Sequence, residues 1–271
     1  MENLFLKRIF CISMKQGLIR IIGLYLHYLN SMKRNPARLI EMIIWPVFEV
    51  MLFGLLAASH KTGSQETVTI TATLLMGVVY WNCTARVIQE AVAQFVDDYF
   101  SKNIQNILIT PASLSEILLS IIGASLTKVC ISLTSVSLVL WLVFPSFLSS
   151  LGWNSFLWVL QLELFGSALS LFAISLVFLA GQRVSFAGWM ISTIVQVFSL
   201  VFYARSALPS VLFYISYVVP SSYIFEAMRF HTQPIQQFIA FGITLGYLFL
   251  GVMSVKISFQ WARWSGTLIK L

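Results

Sequence analysis

Several ionisable residues stand inside otherwise apolar stretches: Glu41, Glu49, Arg86, Glu90, Lys128 and Glu163. A charge at the centre of a bilayer costs about 2.5–3.5 kcal/mol on insertion scales, so such residues pair with one another or line a route for an ion, a proton or a polar substrate. Arg86 and Glu90 are one helical turn apart and are expected to satisfy each other. Glu49 lies twelve residues into the apolar run that begins at 37, and Lys128 twelve into the run that begins at 116. At 1.5 Å per residue both stand about 18 Å from the same edge, which predicts that they pair or share a polar cavity. Glu163 falls in the other half of its run and has no partner that can be named. Burial for folding explains these charges as well as a transport path does.

The sequence carries no motif for covalent chemistry or nucleotide hydrolysis. It has no GxxxxGK[ST], no HExxH and no GxSxG. Cys11, Cys83 and Cys130 are far apart and imply neither a disulfide framework nor a zinc site. No metal-ligand cluster is expected. Asn82-Cys83-Thr84 matches a glycosylation sequon but lies in an expected span, where the match is coincidental. Gly242 and Gly246 form a GxxxG that permits close helix packing.

The elements that must position these residues follow from composition. The 271 residues are 58% hydrophobic and 10% charged, against about 25% charged in soluble domains, and mean hydropathy is +0.86. The fold class is an all-α polytopic membrane protein. The net charge of +7 fits Lys and Arg flanking membrane spans rather than a nucleic-acid partner. Lys7 and Arg8 are followed by too few apolar residues for a cleavable signal peptide.

Residues 1–35 are too often interrupted by charge to span. From Gln16, polar or small residues recur at Arg20, Gly23, His27, Asn30 and Arg34, in steps of four and three that mark one stripe of a helix. The other faces carry Leu18, Ile19, Ile22, Leu26 and Leu29. The pattern reads as a helix in the membrane interface, or as an amphipathic helix packed on the protein's own surface. Asn35-Pro36 ends it. Spans are expected at 37–59, at 68–81 with a more polar continuation through Asp98, and at 116–144, 156–180, 186–204 and 235–255. Between the last two, Pro209 and Pro220 bracket an apolar run too short to cross. The segment 206–231, with Glu226 and Arg229, is expected to be a re-entrant hairpin or a pair of short interfacial helices. One domain covers 1–271: an arm and interfacial helix (1–35), a six-span core (37–258) and a basic tail (259–271). Counting Lys and Arg places both termini in the cytoplasm, with Arg34, Arg38, Lys102, Arg183 and Arg263 on that side and Lys61, Arg205 and Arg229 opposite.

Between the second and third spans lies NILITPASLSEI, residues 106–117. Thr110-Pro111 stops one helix, because proline lacks an N–H and biases the preceding residue away from helix. Ser113 reads as the N-cap of the next, with Glu116 completing a capping box. A capped elbow outside the membrane can receive a push from a soluble partner. A plain loop between spans is the simpler alternative.

Three stretches together resemble the ABC-2-type permeases, the membrane subunits of bacterial exporters of polysaccharides, teichoic acids, drugs and lipid-like oligosaccharides. They are RNPARLIEMIIWPVFEVMLFGLLA at 34–57, NILITPASLSEILLS at 106–120 and LPSVLFYISYVVPSSYIFEAMR at 208–229. The resemblance implies a bacterial inner-membrane location and a separate ATPase subunit, which alone would hold ATP and Mg. That subunit would dock on the elbow through Ile107, Leu108, Thr110, Pro111 and Ser113 and on the interfacial helix near Arg20, His27 and Arg34. It further implies a second permease subunit, identical or related. The route would open between the first, second and fifth spans, with Glu49, Tyr80, Trp81, Arg86 and Lys128 as pathway candidates. The segment with Pro209, Pro220, Glu226 and Arg229 would cap the outer side. The abundant aromatics and few charges favour an amphipathic or lipid-linked cargo. Two rival readings stay open: a secondary transporter driven by protons through Glu49 or Glu163, and a scaffold that recruits a soluble partner without transport.

Overall fold

The computed structural model describes residues 2–59, 65–145, 153–230 and 234–266. Among them every regular element is helical. Helix α1 (Glu2–Lys33) is followed by α2 (Pro36–Ser59), α3 (Gln65–Phe100), the short α4 (Asn103–Ile109), α5 (Leu114–Val143) and α6 (Trp153–Ala180). A 3-10 turn (Gly181–Val184) leads into α7 (Ala187–Phe198). A second 3-10 turn (Arg205–Ala207) precedes α8 (Ser210–Ser216), α9 (Pro220–Phe230) and α10 (Pro234–Trp264).

Four described helices are long and apolar enough to cross a membrane, within Pro36–Leu56, Leu114–Val143, Ser155–Ala180 and Ile235–Trp264, and the bent α8–α9 pair would make a fifth. The exposed surface matches that solvent. Ile40, Ile44, Phe48, Leu52 and Leu55 recur along the outer face of α2, and Phe238, Phe241, Leu245, Phe249 and Ile257 along α10. Stripes of this size and continuity are far beyond what a water-soluble monomer exposes.

Helices α3 and α6 form the interior. They lie parallel, with Gly166 so close that a Cβ would stand 3.0 Å from the Thr84 carbonyl and Phe95 against Phe178. Helix α10 runs parallel to α6, where a Cβ at Gly251 would meet the Ala168 carbonyl at 3.0 Å. Gly242 and Gly246 meet nothing within 4 Å, so the GxxxG does not build the α6–α10 contact. Helices α2, α5 and α7 run antiparallel to α3, through Glu49–Asn82, Lys128–Glu90 and Ser192–Gln89. One edge of the bundle therefore collects the starts of α2, α5 and α7 and the ends of α3, α6 and α10.

Several expected boundaries move. The fifth span, expected over 186–204, is helical only over the 12 residues Ala187–Phe198, short of the ~20 a crossing needs. Leu200 then turns into the left-handed region (φ 59). The last helix does not end near residue 255 but runs unbroken to Trp264, so Lys256, Trp261 and Arg263 belong to it and not to a tail. Most of the loop expected after the first span, and Lys61 with it, lies outside the described residues, as do 146–152 of the next loop.

The segment before α10 is a helical hairpin. Helices α8 and α9 meet at 97°. Pro209 precedes the first helix and Pro220 opens the second, positions where a missing N–H costs nothing. Glu226 pairs with Arg205 at 3.0 Å, whose guanidinium also lies 3.9 Å from the centre of the Tyr217 ring. Arg229 donates to the carbonyls of Val201 and Tyr203. These contacts satisfy backbone acceptors that the early end of α7 leaves open.

Candidate functional site

The elbow folds as its local chemistry dictates. Thr110 is extended ahead of Pro111 (φ −68, ψ 158), which ends α4. Ser113 Oγ accepts from the Glu116 amide at 3.3 Å, while Glu116 Oε2 accepts from the Ser113 amide at 2.7 Å, a complete capping box. Glu116 also accepts from Arg20 at 2.8 Å, through a forked contact that pins α1 to the start of α5. Thr110, Pro111 and Ser113 face outward. Ile107 does not: at 6% exposed it packs with Ile104 into the core that α1, α3 and α5 share, and Leu108 is half-buried. The outward apolar residue is Ile109, 84% exposed, which the sequence reading passed over.

Helix α1 presents three faces. Gly17, Ile21, Leu24, Tyr25 and Tyr28 turn toward the protein, with Tyr25 Oη 2.8 Å from Thr127 Oγ1 and a Ser120 Oγ donating to the Ile21 carbonyl. Leu18, Ile19, Ile22 and Leu26 form an exposed apolar face. Gln16, Gly23, His27, Asn30 and Arg34 form an exposed polar one. An interfacial helix needs both exposed faces, and the inner face docks it on α5. Of the polar stripe, Arg20 is drawn inward to Glu116, His27 reaches Asn103 at 3.3 Å, and Arg34 is exposed. Tyr28 is buried beside Asp98, and burial, together with that carboxylate, raises its phenol above the usual value.

The expected pairs within the bundle are not the ones formed. Glu49 and Lys128 do not meet. Glu49 accepts from the Trp45 indole at 2.6 Å and from Asn82. Lys128, 2% exposed, pairs with Glu90 at 2.9 Å. Glu90 is therefore taken, and Arg86 forms no ion pair with it. Tyr80 and Trp81 are packed in the core, Trp81 against Phe225. Glu163 is buried, and neither carboxylate oxygen has a hydrogen-bond partner.

These contacts belong to a larger pattern. Asn82, Arg86, Glu90, Gln94 and Asp98 are all buried, and they recur every four residues along α3. A step of four advances 400° around a helix that needs 360°, so the row drifts by about 40° per step. Asn82 thus faces Glu49 on α2, Glu90 faces Lys128 on α5, and Asp98 reaches α1 and α4. Asp98 Oδ1 accepts from Asn103 at 2.8 Å and lies 3.9 Å from His27. The spiral climbs about 24 Å from Asp98 to Asn82. It begins at the elbow and ends deep in the bundle. Its second rung from the elbow, Gln94, is buried with both amide atoms unpaired. The spacing was visible in the sequence, since five polar residues at steps of four are a helical row.

Beside the spiral a cavity of about 150 Å³ opens between α2, α3 and α7, lined by Arg38, Glu41, Arg86, Gln89, Glu90 and Trp189 among others. Arg38 is bridged to Asp97. Of the pathway candidates only Arg86 lines this cavity. No group of three or more His, Cys, Asp or Glu able to hold a metal occurs among the described residues.

A scan against models of known protein families matches none to this chain, and a search of curated proteins finds no match.

Proposed function

We propose that this chain is the membrane permease of an ATP-driven exporter. It would work with a separate ATPase subunit that docks on the α4–α5 elbow and with a second permease subunit, identical or related. The cargo is an amphipathic or lipid-linked molecule leaving the cytoplasm or the inner leaflet. The protein is an inner-membrane one, with six passes if α3 and α7 complete the traverse while the α8–α9 hairpin caps the outer side, and with both termini cytoplasmic. Coupling residues are Ile109, Thr110, Pro111 and Ser113.

One observation carries the reading. The capped elbow is exposed at its tip, braced by Arg20 and tied through Asn103–Asp98 to a polar spiral that runs into the bundle. A plain loop needs none of these ties. A push on such an elbow reaches Glu90 and Lys128 through one continuous helix. The test is purification from native membranes in mild detergent. Co-purification of an ATP-hydrolysing subunit that is lost with Ile109→Asp supports the proposal. A chain that comes alone and binds no added ATPase overturns it.

A proton-coupled transporter is the second reading, favoured by Glu163, whose buried oxygens have no partner. A buried carboxyl without a donor is stable only when neutral. That reading predicts substrate movement driven by a proton gradient without ATP and abolished by Glu163→Gln.

A further inference from the structure

The α2–α3–α7 cavity is lined by two charges of opposite sign that form no ion pair with each other. Arg86 is 4% exposed and makes no ion pair or hydrogen bond among the described residues. Its guanidinium cannot lose a proton, and an uncompensated buried cation is costly. The adjacent carboxylate, Glu90, is held by Lys128 at 2.9 Å. On another wall Glu41 likewise has no partner among the described residues, because its neighbour Arg38 is bound to Asp97. Both groups line the same space, yet they stand beyond ion-pair distance. A simple anion would satisfy Arg86 and be repelled by Glu41, and a simple cation would meet the reverse. A group carrying both charges on a short linker satisfies both.

Three further features narrow the occupant. The cavity of about 150 Å³ has room for on the order of ten waters at about 10–15 Å³ each, close to the size of a phosphate ester with a two-carbon ammonium arm. Trp189 lines it, with Trp45 edge-on at 6.5 Å, and an indole face attracts an ammonium. Helices α2 and α7 both begin beside it, at Pro36 and Ala187, which sets it at the margin of the apolar zone, where headgroups lie. We infer that this cavity binds the zwitterionic headgroup of an ethanolamine phospholipid, with the phosphate on Arg86 and the ammonium toward Glu41 and Trp189.

The test is native mass spectrometry of the purified full chain with dioleoyl phosphatidylethanolamine, phosphatidylglycerol or diacylglycerol added. It needs neither ATP nor an ATPase, so it stands or falls apart from the export proposal. The ethanolamine lipid should be retained over the glycerol lipid by roughly tenfold, the scale of one charge-assisted contact. Free phosphoethanolamine should displace it. Arg86→Gln should lose both phospholipids. Glu41→Gln, at an exposed position where folding is safe, should erase the preference while the melting temperature stays unchanged. Equal retention of the two phospholipids by the native chain, or a preference that Glu41→Gln does not move, overturns the inference.

Discussion

The charges within the bundle are the residues whose removal should be felt most. Lys128 and Glu90 are both almost fully buried and bonded at 2.9 Å. Losing one partner strands the other, at a cost of about 3–5 kcal/mol, whereas replacing both with apolar residues of similar volume is often neutral. Lys128→Ala should therefore lower the melting temperature sharply, and Lys128→Met with Glu90→Leu should recover most of the loss, read by thermal unfolding in detergent. Additive losses would show that the pair is not a unit. That these charges needed partners was legible in the sequence, and their identity was not. Counting residues from the edge of an apolar run assumes that every run starts at the same level, and it says nothing of the direction a side chain faces. Glu49 bonds Asn82 and Lys128 bonds Glu90, and those partners stand eight residues, or about 12 Å, apart along α3. At the elbow, Ile109 was missed for a related reason: a seven-residue helix carries too few turns for its outward face to be read from periodicity.

At the scale of elements, the elbow was legible because capping is local chemistry. Ser113, Glu116 and Pro111 act within a few bonds of their own backbone, and the box formed as its spelling predicts. Ser113→Ala should cost about 1 kcal/mol, while Ser113→Asp, also a good cap, should cost little, both measured by chemical unfolding. The tie from α1 was not legible, since Arg20 and Glu116 are 96 residues apart. Arg20→Ala should speed hydrogen exchange in α1 and in the first turn of α5 while leaving α6 and α10 unchanged. Uniform exchange across all helices would place the bracing elsewhere. The shortened α7 was hidden by its composition: residues 199–204 stay apolar enough to read as span. The backbone leaves the helix there because Arg229 and the α8–α9 hairpin supply other partners for its carbonyls.

For the whole molecule, composition and the long apolar runs identified a helical membrane bundle, and the antiparallel contacts of α3 with α2, α5 and α7 bring the elbow, Arg38, Arg183 and Arg263 to one edge. The hairpin lies at the other. Lys102→Cys and Val211→Cys, both at exposed sites, should react with a membrane-impermeant thiol reagent from opposite sides, the first only after the cells are opened. Labelling of both from the same side would refute the arrangement. What composition could not reveal is which helix lies inside. Helix α3 is less apolar than α2, α5 and α6 and is buried with its polar row turned inward, where Asn82, Glu90 and Asp98 find partners on other elements.

Helix α3 is also the longest of the described elements, 36 residues without a break, or about 54 Å of rod. A rod of that length has leverage. Pivoting by about 5° at its middle swings either tip by about 2 Å, enough to part a hydrogen bond at one end without deforming any turn between. Lys102, left-handed at φ 60, is the joint between this rod and the elbow. Lys102→Gly would loosen that joint while removing its strain, and if the export proposal holds, ATP-driven transport should fall more than the melting temperature does.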